Sequence, residues 1–189
     1  MGLTIFAFLA PPVLLALWSR ARTRIRDTAW SRYFLAIALC FSVFTLSLGI
    51  AYLAAQPYAE IQSVPLFFTR LAAAAAAAGY IVLFRVCMNF PYESRNLAAD
   101  LTAAAAVLGV LALTLGTPLY VIHVERVNLD FLRQEGPLYG AVTMGAAGLG
   151  FLGAVILLLR SLAMRSRIFQ QQSLILALGI ASSIVLGYL

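Results

Sequence analysis

Residues 65–88 read PLFFTRLAAAAAAAGYIVLFRVCM, a run in which Arg70 and Arg85 are the only charges. As a helix rising 1.5 Å per residue, a stretch of this length exceeds a hydrocarbon core of roughly 30 Å. It lacks the ten-residue alternation of a membrane β-barrel strand, and hydrocarbon demands a backbone that satisfies its own hydrogen bonds. The stretch is therefore expected to be a membrane-spanning helix. Its seven consecutive alanines, Ala72 to Ala78, and Gly79 leave the backbone open to close approach by neighbours.

Five further apolar stretches flank it, so that the chain divides into segments 2–18, 33–55, 65–88, 97–122, 138–159 and 173–189. The middle four are long enough to cross a bilayer and the two terminal ones are marginal. Of the 189 residues 63% are apolar and 11% charged, too little polar surface to clothe a water-soluble domain. The expected fold is all-α, a single polytopic transmembrane helical bundle over residues 1–189. Six spans are visible. The ending at Gly187-Tyr188-Leu189, without a polar tail, gives the expectation that the chain is truncated before a seventh.

All thirteen basic residues are arginine, and their distribution gives an orientation. Arg20, Arg22, Arg24, Arg26 and Arg32 lie about the first connection, Arg85 and Arg95 about the third, and Arg160, Arg165 and Arg167 about the fifth. Only Arg70, Arg126 and Arg133 fall on the alternate side, beside Glu125, Asp130 and Glu135. Basic residues near span ends are held in the cytoplasm, so the amino terminus is expected outside it. The first segment has its arginines behind it, opposite to a cleavable signal peptide, and its Pro11-Pro12 pair is expected to bend the helix. Tyr58, Phe67, Phe68, Tyr120 and Tyr139 would form the outer aromatic belt, and Trp18, Trp30, Tyr33, Phe90 and Tyr92 the inner one.

Small residues recur on the other spans, at Ala103 to Ala106 and Gly109, and at Ala146, Gly150 and Ala154 with four-residue spacing. Such faces pack helices within one bundle, with a homodimer or a larger membrane complex as the alternative use. In the external connection 123–137, Val127, Phe131 and Leu132 recur at helical spacing, which reads as a short interfacial helix.

Few polar groups enter the membrane. Arg70 lies about five residues into its span, where a charge must snorkel, pair or face water. Glu60 is its nearest acidic candidate in sequence, and the two are expected to border an outward-facing pocket for a polar or anionic ligand. Ser42 and Thr45 would add hydroxyls to it, the alternative being that they bond back to their own helix. The candidate ligand-binding set is thus Arg70, Glu60, Ser42 and Thr45.

Catalysis has little to build on. No zinc-protease signature, nucleophile elbow or phosphate loop occurs, no acidic pair lies deep in facing spans, and His123 is the only histidine. No catalytic residue, metal site or cofactor is expected, and no enzyme within these residues. The net charge of +6 resides in membrane connections, so nucleic acid is not an expected partner. Cys40 and Cys87 sit in apolar spans, where a thiol behaves as a small hydrophobe.

The external amino terminus, the short connections and the turn ending Arg167-Ile-Phe-Gln-Gln-Gln resemble, in layout, the amino-terminal seven-helix input regions of bacterial histidine kinases and related signalling proteins. The resemblance implies an integral-membrane sensory module that passes a stimulus to a cytoplasmic signalling domain. Two other classes stand beside it: a structural or assembly subunit of a larger membrane complex, and a transporter component, against which the scarcity of membrane-embedded polar residues argues.

Overall fold

The structure, a computed structural model, describes residues 9, 11–13, 15–17, 19–20, 29–55, 63–91, 96–127, 130–164 and 166–188. Its main elements are helices α1 (Ala29–Ala54), α2 (Ser63–Asn89) and α3 (Leu97–Gly116), strands β1 (Val121–Val127) and β2 (Asp130–Glu135), and helices α4 (Tyr139–Ala163) and α5 (Arg167–Tyr188). The described residues between 9 and 20 are also helical, Pro11 and Pro12 included.

Four of these helices are long and apolar enough to cross a membrane: 32–54 within α1, and the whole of α2, α3 and α4. The protein is a helical membrane bundle. Of the six expected spans, these correspond to the middle four, α5 covers the last, and most of the first lies outside the described residues.

The alanine-rich helix is the central post. α1, α3, α4 and β1 all pack on α2, and α5 reaches the bundle through α4. Of the most apolar stretch of each helix, 61% is buried in α2 but only 6% in α3. Short side chains make this possible: Ala72, Ala74, Ala75, Ala77 and Ala78 are all buried, and a methyl on Gly79 would stand 3.4 Å from the Cys40 Cβ of α1. Pro65 falls in the first turn of α2, where its missing N–H leaves no bond unmade. α4 approaches most closely through Gly153, where an added Cβ would lie 3.1 Å from the Cys87 sulfur. Gly150 and Ala154, expected on this crossing face, are buried there too.

The connection after α3 departs from the expected interfacial helix. It forms an antiparallel hairpin pairing Val127 with Asp130 and Val121 with Glu135. Residues 121–127 carry four β-branched side chains in seven, a run that disfavours helix and suits a strand. The fourth span accordingly stops at Gly116, ahead of Thr117-Pro118, instead of running to 122. An irregularity between Val121 and His123 bulges the strand, leaving Ile122 exposed while Val121 and Val124 are buried. A two-stranded hairpin has unpaired edges that hydrocarbon does not tolerate, so it marks where the bundle leaves the membrane.

Candidate functional site

The hairpin is marginal alone and is held by what lies beneath it. Tyr120, Val121 and Val124 form a buried cluster against Leu66 and Ala73 of α2, Leu113 of α3, and Tyr139 and Val142 of α4. Arg70 ties β1 down from α2: its Nε and Nη2 both donate to the Val121 carbonyl, at 3.0 and 2.5 Å. Gly136 closes the connection, donating its N–H to the Tyr120 carbonyl at 2.8 Å while Leu138 donates to Leu119 at 2.9 Å. A Cβ at Gly136 would lie 2.2 Å from the Leu119 oxygen, so only glycine fits there.

Under this roof lies a chamber of about 490 Å³, within the usual range for small-molecule sites. α1 lines it with Phe41, Phe44 and Leu48, α2 with Thr69, Ala76 and Tyr80, and α4 with Tyr139 and Thr143. Tyr120, Val121 and Arg133 close the hairpin end. The Tyr120 and Tyr139 rings stand 5.0 Å apart, Arg133 lies 4.8 Å above the Tyr139 ring, and the Tyr120 hydroxyl is 3.4 Å from that of Thr143. Burial pushes the Tyr120 phenol above its ordinary value of 10.0, against a smaller opposing effect of Thr143, so the ring is neutral and can donate. Arg133 is half-exposed and pairs loosely with Glu135, N to O 3.7 Å. Aromatic walls with hydroxyls and one guanidinium at the rim suit a molecule with an apolar body and a polar or anionic end.

A second polar constellation stands at the opposite end of α2. Arg85 donates through Nε to Asp100 Oδ1 at 2.7 Å, through Nη1 to Asn89 Oδ1 at 2.6 Å, and through Nη2 to the Asn96 carbonyl at 3.3 Å. The Tyr33 hydroxyl donates to the same Asp100 oxygen at 3.0 Å, so one carboxylate links α1, α2 and α3. Asn96 also caps α3, accepting from the Ala99 N–H at 3.2 Å, and Asp100 in the first turn complements the helix dipole. Nearby, Arg160 of α4 donates to the Met88 and Phe90 carbonyls at 2.5 and 3.2 Å, capping the carboxyl end of α2 with positive charge.

The sequence-derived set falls elsewhere. Arg70 holds the hairpin backbone, Thr45 donates to the Phe41 and Ser42 carbonyls of its own helix, and Ser42 is buried with its hydroxyl unpartnered in the described structure. Glu60 lies outside the described residues. None of Arg70, Ser42 and Thr45 is among the described residues lining the chamber. On sequence alone Tyr120 and Tyr139 fall in the aromatic belt and Arg85 beside the third connection, and Asp100 is given no role. The signal for the Arg85–Asp100 pair was present, since a carboxylate and an arginine close to facing helix ends need each other in a low dielectric. Among the described residues no cluster of three or more metal-ligating side chains occurs. No family model, curated protein or solved structure matches the chain.

Proposed function

We propose that the protein is an integral-membrane input module of the bacterial inner membrane, in which a small molecule enters the chamber from outside the cell and its presence is passed to a cytoplasmic output domain or partner. The carrying observation is the chamber, walled by three helices and roofed by the hairpin. α2 supplies the relay. The helix that carries Thr69, Ala76 and Tyr80 in the chamber wall also carries Arg85, which bonds Asp100 of α3 and through it shares a partner with Tyr33 of α1, and Cys87, which packs on Gly153 of α4. The arginine asymmetry favours placing the hairpin end outside.

The test uses the thiol of Cys87, fully buried against Gly153, as a reporter in a Cys40→Ala background. Ala76→Phe fills the chamber as an occupant would and should change Cys87 labelling on the order of fivefold, the lower end for coupled sites. Ala104→Phe, on the exposed face of α3, is the control. Equal labelling in all three proteins refutes the relay.

A second reading, an assembly subunit of a larger membrane complex, is favoured by α3. Ala105, Gly109, Ala112 and Gly116 are all exposed at helical spacing, and nothing lies within 4 Å of a Cβ placed on Gly109 or Gly116. Gly109→Leu should then change the oligomeric state in mild detergent while leaving the Cys87 response intact. An unchanged oligomeric state removes this reading.

A further inference from the structure

Behind the chamber lies a second void of about 850 Å³, bounded by α2, α3 and α4. It exists because α3 packs mainly on α2 while α4, pressed to α2 at Gly153, leaves room nearer its start, where a Cβ on Gly145 would meet nothing within 4 Å. Its lining is apolar apart from Thr102 and Arg85, and both are spoken for: the Thr102 hydroxyl donates to the Ala98 carbonyl at 2.8 Å, and Arg85 has its three acceptors. Along α2 the void runs from Ala77 to Met88, eleven residues and so roughly 16 Å, about half of a ~30 Å hydrocarbon core. That is the reach of one extended acyl chain. Ala77, Val142 and Ala146 line both voids, so the two adjoin there.

We propose that the ligand is a single-chain amphiphile of the fatty-acid class, with its carboxyl end in the tyrosine chamber and its hydrocarbon chain in the apolar crevice. This rests on reading the chamber as a ligand site. The division of chemistry supports it: the hydroxyls of Tyr80, Tyr120, Tyr139 and Thr143 and the half-exposed Arg133 guanidinium gather on one side of the Ala77–Val142–Ala146 boundary, and on the other only Thr102 and Arg85 interrupt an apolar lining. A bilayer lipid entering from the far end would bring its headgroup to Arg85. That guanidinium is 9% exposed and already neutralised by Asp100, so it offers no anchor.

The experiment embeds the protein in nanodiscs, with Phe44→Trp as the sole fluorescent reporter in a Trp18→Phe, Trp30→Phe background, and photolabels it with palmitate bearing a diazirine at its chain end. Saturable labelling at Met88, Ala99 or Thr102, displaced by unlabelled palmitate and reduced to background by Ala146→Trp, is the expected result. If Ala146→Trp does not fold, Val142→Phe narrows the same junction. Unsaturable labelling spread over Leu108 and Phe151 on the outer faces overturns the proposal. A saturable Phe44→Trp response with chain-end labels elsewhere than the crevice also overturns it and leaves the chamber reading standing. No saturable response of Phe44→Trp to palmitate overturns the proposal too, and the Cys87 labelling experiment, which needs no ligand, then decides separately whether the chamber couples to the other end.

Discussion

Single atoms decide whether the roof closes. A methyl on Gly136 would overlap the Leu119 carbonyl, so Gly136→Ala should destabilise by about 1–3 kcal/mol or more, the usual range for overpacking. Gly148→Ala is its counterpart: its Cβ meets nothing within 4 Å, and a mid-helix alanine should be neutral or stabilise by about 0.5–1 kcal/mol. Denaturant unfolding in detergent compares the two, and equal effects would contradict the packing at Gly136. Tyr120 adds a pH dependence. Its phenol titrates above 10.0 when folded, so the protonated ring's contribution is fully present below 10.0 and is lost as pH rises through the higher folded value. Stability measured from neutral to strongly alkaline pH should therefore fall more steeply in the native protein than in Tyr120→Phe. Parallel curves would place the Tyr120 hydroxyl in water.

Elements are held by a small number of polar contacts laid over apolar packing. Arg70→Leu removes both donors to Val121, so amide exchange in the hairpin should rise while helical circular dichroism is unchanged; unaltered exchange would show that packing alone holds β1. At the opposite end, Asp100→Asn leaves the buried Arg85 without its counter-charge. Because the Asp100 side chain is 40% exposed, the expected cost is about 1–3 kcal/mol, below that of a fully buried pair, with faster exchange confined to α3. Exchange that rises equally in α4 and α5 would contradict that local role. These contacts also mark how far the chain could be read before it was folded. Long apolar runs locate α1, α2 and α4 to within a few residues, because span length is set by the bilayer. They locate α3 only at its start, since the helix ends at Gly116 and the run placed its end too late. The hairpin was misread because Val127, Phe131 and Leu132 fit a helical repeat, although the β-branched run from Val121 pointed to a strand. The chamber could not be read at all: its lining comes from three helices and a loop, and only their packing puts Phe44, Tyr80, Tyr120 and Thr143 around one space.

Across the whole molecule, the polar chemistry collects at the two ends of a helix made mostly of alanine. One end carries the tyrosine chamber under the hairpin, the other the Arg85–Asp100–Tyr33 cluster and the Arg160 cap. A stimulus from outside can use this arrangement only if the hairpin faces outward, the orientation we propose from the ten-to-three division of arginines. Labelling intact cells with a membrane-impermeant thiol reagent tests this directly, in a background with Cys40 and Cys87 replaced by alanine. Gln134→Cys, exposed on β2, should react in intact cells, and Ser166→Cys, exposed between α4 and α5, should react only after the membrane is opened. Reaction of Ser166→Cys in intact cells with protection of Gln134→Cys would turn the chamber toward the cytoplasm and contradict the account.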